Sequence, residues 1–334
     1  MTGAYRFAIK TALIAFFSIL SIGAVLAQGA AQSPSPIELL QKAQHAAKTS
    51  DYQGVFAHQR NGQMRSFRIT HRFVDGDEYE RLEVLDNSPR EYLRHNDRVQ
   101  CLIPDSKMIV TERQHQERFP ALLMASIDEL ETHYVLTVQN RLGRVAGRKC
   151  QRISIVPKDD HRSRYQLCLD QKTGLLLEAQ MYDEGGAVVE HIAFTQVQVG
   201  KRIDDAALLP SWSTDGWEQV ERSHRDIDLK SQGWFYRAPP GYRSVAEIER
   251  QFRDGRQVSQ VILTDGLANI SIFIEPYQQN LSHHQMNGAS RSGAVNLYGK
   301  QYGSYWVMVA GEAPAATVKQ LAESIVQSGS LHQR

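Results

Sequence analysis

The chain has 334 residues, with 38 Lys and Arg against 37 Asp and Glu, and 42% of its residues are apolar. That length exceeds one comfortable core and predicts two domains, and the apolar share suffices to build both. Acids and bases alternate instead of separating into halves, which excludes a dedicated nucleic-acid binder, a class that needs a basic face.

Arg6 and Lys10 open the chain, residues 11–25 are apolar and uncharged, and Val25 and Ala27 put small residues where a signal peptidase reads. Ala31 offers a second cut. The apolar run falls short of the about 20 residues that a membrane helix needs. Residues 1–27 are therefore read as a cleaved signal peptide, which places the mature chain in the periplasm. A retained N-terminal anchor is the alternative. Removing the two bases of the signal changes the formal charge from +1 to −1.

Residues 28–35 form a Pro-containing lead-in. A helix is predicted over 36–49: Ser35 caps it, Pro36 takes its first position, and Ile37, Leu40, Ala43 and Ala47 recur at helical spacing. The period then drops to two. Phe67, Ile69, His71 and Phe73 alternate with Arg68, Thr70 and Arg72, Asp75-Gly76 closes a hairpin, and Leu82 and Val84 alternate with Arg81 and Glu83. Shorter strands are expected over 91–94, 99–103 and 107–111.

Phe119, Leu122, Leu123, Ile127 and Leu130 fall on one helical stripe. Strands resume over 134–138, 151–155, 165–169, 175–181 and 188–197, with Gly185-Gly186 turning the last pair. The fold class is α+β, with residues 28–200 as a strongly curved antiparallel half-barrel covered by helices. Such a sheet beneath an apolar helix encloses a pocket lined by Phe67, Ile69, Leu82, Val84, Leu122 and Leu123; alternatively, the helix fills that space as core.

Residues 201–232 are polar, weakly periodic and punctuated by Pro210 and Gly216, which reads as a linker. Residues 233–334 then predict strands over 256–263, 269–275, 296–298 and 305–310, closed by a helix over 314–327. This is a smaller α+β domain.

Cys150 and Cys168 flank two strands joined by a polar loop, residues 158–163. If they face each other directly, Ile153 pairs with Tyr165, and both cysteines lie on the face opposite Ile153, Ile155, Tyr165 and Leu167. A disulfide is expected there; two separately buried thiols are the alternative. Cys101, beside Leu102 and Ile103, is left as a buried free cysteine.

No GxSxG elbow, HExxH, GxxxxGK[ST] or GxGxxG is present, so no catalytic residue and no cofactor is assigned. His283-His284 has no third ligand at a useful spacing, and no metal site is expected. Asp159-Asp160-His161 reads as a solvated turn, and His58 and His71 as satisfied core residues. Two binding candidates stand out. Arg148, Lys149 and Arg152 lie in the densest positive stretch and suit an anionic ligand, or form a solvated strand face. Trp234, Tyr236 and Tyr242 suit a partner surface, or begin the second core.

Gly233-Trp234, Pro239-Pro240-Gly241-Tyr242, and Asp265-Gly266-Leu267-Ala268 leading to Ser271, Phe273 and Glu275 resemble the C-terminal domain of the MucB/RseB family. Gly311 with Pro314 continues the match, and Pro89-Arg90-Glu91 followed by Val99 and Pro104 extends it to the first domain. Each motif is short; their order and spacing carry the likeness, which spans the mature chain and its signal. The resemblance implies a periplasmic negative regulator of the envelope-stress sigma factor. Such a protein binds the periplasmic segment of a membrane-spanning anti-sigma factor and shields it from site-1 proteolysis. It also implies a first domain similar to the carriers LolA and LolB, sensing lipopolysaccharide or lipoprotein acyl chains. No binding residue follows from it, and self-association stays open. The competing readings are a lipid or lipoprotein carrier and an envelope enzyme.

Overall fold

A computed structural model describes residues 34–60, 62–113, 127, 129–252, 255–278 and 287–328. The signal segment, Phe119, Leu122, Leu123 and the His283-His284 pair lie outside these residues. The described residues from Ser35 onward belong to one compact unit.

Helix α1 (Pro36–Thr49) begins as its sequence requires. The Ser35 hydroxyl accepts from the Glu38 N–H and the Glu38 carboxylate accepts from the Ser35 N–H, with Pro36 at the first position. It buries Leu40, Ala43 and Ala46. Strands β1 (Tyr52–Arg60), β2 (Gln63–Val74), β3 (Asp77–Val84), β4 (Arg90–His95), β5 (Arg98–Ile103) and β6 (Met108–Arg113) follow as an antiparallel meander. Asp75 (φ 53°) and Gly76 (φ 93°) turn β2 into β3 with both central residues left-handed, the twist a tight hairpin needs.

A short helix α2 (Leu130–His133) leads into β7 (Tyr134–Val138), β8 (Gly143–Val145), β9 (Arg148–Pro157), β10 (Arg164–Asp170), β11 (Leu176–Tyr182) and β12 (Val188–Val199). Ile127 and Leu130 of the expected apolar stripe are buried in the core, but Ile127 precedes the helix rather than lying within it. Strand β12 pairs with β1, so the chain returns to its beginning. Strand β13 (Glu218–Arg222) then adds itself parallel to β6. Among the described residues these thirteen strands form one large curved sheet, ordered from β13 through β6 and β1 to β7, with β8 beside β9.

The smaller sheet comprises β14 (His224–Asp226), β16 (Arg243–Gln251), β17 (Gln257–Thr264), β18 (Asn269–Pro276), β21 (Tyr305–Gly311), β20 (Val295–Tyr302) and β19 (Gly288–Ser292), in that spatial order. Helix α3 (Ala315–Ser324) packs on β20 and β21, and β15 (Trp234–Phe235) pairs with β22 (Val326–Gln327). The closing helix is thus shorter than expected: Pro314 caps it and Val326 has already left it. The architecture is α+β, as anticipated. Residues 201–232 contain a 3-10 turn (Asp205–Leu208) and the two edge strands β13 and β14, one in each sheet.

Candidate partner interface

The hairpin of β9 and β10 anchors the larger sheet. Cys150 and Cys168 are bonded, with Cα atoms 5.3 Å apart. Their register differs from direct facing: Cys150 lies opposite Asp170, Cys168 opposite Arg152, and Tyr165 opposite Ile155. A slip of two residues preserves which face each side chain occupies. Ile153, Ile155, Tyr165 and Leu167 accordingly share one apolar cluster, while both cysteines sit in another with Tyr52, Phe56 and Ile69. Cys101 is half-buried rather than buried, and desolvation pushes its thiol up, which disfavours a reactive thiolate.

The expected anionic-ligand stretch is partly committed internally. Arg148 donates twice to Asp170, at 2.8 and 2.9 Å, in a fork-to-carboxylate pair. Burial opposes the Asp170 charge. Hydrogen bonds from Arg148 and from the Thr173 backbone and hydroxyl outweigh it, holding Asp170 below its usual pKa. Arg152 is half-buried against Gly143, which leaves Lys149 as the exposed cation of the three. His71 is a satisfied core residue: its Nδ1 donates to the Ser50 carbonyl at 2.8 Å and its ring stacks on Tyr52.

The expectation of a solvated turn at Asp159-Asp160-His161 holds for Asp160, which is exposed, but Asp159 and His161 are half-buried and the next residues, Arg162 and Ser163, are buried. This loop plugs into the smaller sheet. Arg162, with no side-chain exposure, donates hydrogen bonds to Asp159 and the Pro240 carbonyl, and its Nε lies 3.1 Å from Asp265 in an ionic contact that lacks hydrogen-bond geometry. Its guanidinium lies over the Tyr242 ring at 5.2 Å and the Tyr134 ring at 5.9 Å. The Tyr134 hydroxyl donates to Asp265 at 2.6 Å. Burial first, then the Asp265 carboxylate, push the Tyr134 and Tyr242 phenols well above their ordinary pKa. Asp265 Oδ1 meanwhile accepts from the Leu267 and Ala268 N–H groups, which fixes its turn. Gly241 (φ 77°) is required here, because a Cβ would overlap Arg162 and His133.

The motifs that carried the family likeness, Pro239 to Tyr242 and Asp265 to Ala268, are therefore the walls of a socket. Removing one member of a buried ion pair costs about 3–5 kcal/mol, against about 0–1 kcal/mol for an exposed pair. The seam outweighs the other links between the sheets, such as Arg250–Glu112 at 3.4 Å and Arg291–Asp183 at 3.8 Å.

Two of the three aromatic partner candidates are corrected to core positions. Trp234 is buried, edge-on to Tyr305 at 5.1 Å, and Tyr242 is buried in the seam. Tyr236 is half-buried, its hydroxyl 3.4 Å from Glu247. Phe235, at 38% exposed, is the neighbour that faces outward. Of the expected pocket lining, Ile69 pairs with Leu82 and Phe67 with Val84. Ile69 is fully buried, and Phe67, stacked on Phe56 at 5.0 Å, and Leu82 pack against the same cluster, while Val84 is half-buried outside it.

A groove that was not anticipated lies where the sheets meet. Its volume is about 600 Å³, and Met108, Val110 and Val220 of the larger sheet face Arg250 and Phe252 of the smaller, with Arg222 at the rim. Phe252 is 40% exposed, and β13 is the sheet's edge strand. Apolar side chains on the paired strands β6 and β13, an exposed ring, and Glu221 among the arginines line it beside a sheet edge, a mixture that suits an extended peptide. In the sequence, Val220 is a single apolar residue among Glu218, Gln219, Glu221 and Arg222, so only its parallel pairing with β6 reveals it.

Known proteins place this architecture. The model described as MucB/RseB N-terminal domain matches residues 35–212, and that described as MucB/RseB C-terminal domain matches residues 228–326. The chain belongs to the MucB/RseB family. Within the family, the sigma factor AlgU regulatory protein MucB of Pseudomonas aeruginosa is 30% identical over 317 residues, covering 92% of this chain and 96% of that protein. The sigma-E factor regulatory protein RseB of Haemophilus influenzae is 24% identical, covering 92% and 97%. The crystal structure of MucB in complex with MucA(peri) superposes with a TM-score of 0.67 at 26% identity, covering 88% of this chain and 99% of that one. MucB alone gives 0.65 at 26% identity, covering 89% and 99%.

Proposed function

We propose that this MucB/RseB member is an exported negative regulator of an envelope-stress sigma factor, acting by binding the periplasmic segment of a membrane-spanning anti-sigma factor. The observation that carries this reading is the likeness, over 88% of the chain, to MucB in complex with MucA(peri). In this reading residues 1–27 are a cleaved signal peptide and the protein works in the periplasm. Residues 28–200 sense a ligand, 201–232 connect, and 233–334 complete the grip. The groove of Met108, Val110, Val220 and Phe252 receives the anti-sigma segment and hides it from the site-1 protease. Lipopolysaccharide or the acyl chain of a mislocalised lipoprotein releases it by binding a second conformation more tightly than the first. The protein acts by occupying a surface, without turnover.

Titration calorimetry between the mature chain and the periplasmic segment of its anti-sigma factor tests the central step. Micromolar or tighter binding is expected in oxidising buffer, together with protection of the segment from site-1 cleavage. Absence of heat at those concentrations removes the reading.

A further inference from the structure

We infer that the buried Arg162–Asp265 pair is a latch that selects one arrangement of the two sheets, and that it thereby sets the width of the groove between them. Three observations converge. The pair is shut off from water, each side chain having no exposure. A dry ion pair adds little net stability over apolar packing, yet each charge left alone is heavily penalised, so its effect is to choose between arrangements. The other ion pairs across the boundary are partly exposed, Arg250 and Arg291 retaining 34% and 46% of their side-chain surface, while the buried Tyr134–Asp265 hydrogen bond and the packing of Leu267 and Ala294 carry no charge partner of their own. The exposed pairs screen and rearrange readily.

The chain between the sheets is also short. Ser223 alone separates β13 from β14, so the sheets can hinge there but cannot drift apart. The groove lies beside that hinge, with Met108, Val110 and Val220 on one wall and Arg250 and Phe252 on the other. A change of angle at Ser223 moves one wall relative to the other, and parting the latch permits it. The hairpin tip that carries Arg162 is held in the socket by further contacts, from Tyr242 Oη to the His161 carbonyl, from Ser163 Oγ to the Glu312 carbonyl and between the His161 ring and Thr317 Oγ1. The latch is a property of the chain alone. Its effect on partner affinity rests on the function proposed above.

The test is a distance distribution between spin labels at Val188→Cys on the larger sheet and Gln320→Cys on α3, in the full mature chain with Cys101→Ser. A single narrow distance is expected without further change. Arg162→Met should shift the docked-to-undocked ratio by roughly 100-fold or more, adding a long, broad component. Arg162→Met combined with Asp265→Asn removes both charges while keeping the turn acceptor, and should restore the narrow distance. A folded Arg162→Met protein that keeps one narrow distance overturns the latch. If that variant fails to fold, the double variant decides: a single narrow distance supports the latch, while a broad or unfolded double variant overturns it. Affinity for the anti-sigma segment should fall at least tenfold in Arg162→Met and recover in the double variant. A broadened distance with unchanged affinity would keep the latch and reject the groove as the partner site.

Discussion

Cys150 lies opposite Asp170 on the neighbouring strand, not opposite the cysteine to which it is bonded. The disulfide therefore runs diagonally across the ladder, over a sequence separation of 18 residues. Closing a loop of this size removes unfolded-state entropy worth about 3 kcal/mol. Replacing both cysteines with alanine should lower unfolding stability in urea by about 2–4 kcal/mol. Adding a reductant should produce the same loss in the unsubstituted protein and none in the variant. Equal urea midpoints for the two proteins would show that the bond is not a stabilising element.

Asp170 closes the same region by pairing with Arg148. Its pKa is lowered in the folded chain, so the pair contributes stability above the unfolded aspartate pKa of about 3.9 and loses it as pH falls below that. Asp170→Asn should be markedly less stable than the unsubstituted protein at pH 7, with the gap closing as the medium is taken below about pH 4. Urea midpoints across that range provide the check. A gap that is constant with pH would mean that packing, not charge, holds this corner.

Trp234 and Phe235 are adjacent and opposite in fate. Trp234→Ala leaves a hole against Tyr302 and Tyr305 and should cost about 3–5 kcal/mol. Phe235→Ala, on the outward side, should change stability by no more than about 0.5 kcal/mol. Thermal unfolding of the two variants side by side distinguishes them, and similar losses would contradict the orientation of β15.

The groove makes a separable prediction. Phe252→Ala and Val220→Asp should each weaken the anti-sigma segment by tenfold or more, about 1.4 kcal/mol, and leave the melting temperature close to its starting value. Met64→Ala, remote from the groove and 66% exposed, should do neither. Equal affinity in all three variants would move the partner to another face.

Much of this fold is legible wherever a single period dominates. β2 and β3 announce themselves by alternation and by Asp75-Gly76, and α1 by its Ser35 and Pro36 start. Strand β1 is harder to see, because two of its inward positions are Gly54 and His58 rather than branched apolar residues. Strand β16 reads locally as helix: Val245 and Ile248 are three apart among Glu247, Glu249 and Arg250, and a bulge at Ser244 to Ala246 breaks its alternation. Parity across the β9–β10 hairpin survived a two-residue error in register because side-chain faces repeat every second residue. The seam is another matter. Arg162 sits among Asp159, Asp160, His161 and Arg164, a run indistinguishable from a solvated turn until a distant Asp265 meets it. Charges buried by tertiary contact leave no periodic trace.

The parallel union of β13 with β6 bears on where the chain can be divided. Residues 218–222 belong structurally to the larger sheet, although they lie past residue 212, where the first family model ends. An N-terminal fragment stopped there would expose β6 as a raw, sticky border prone to intermolecular pairing. One stopped after Arg222 would carry its own hem.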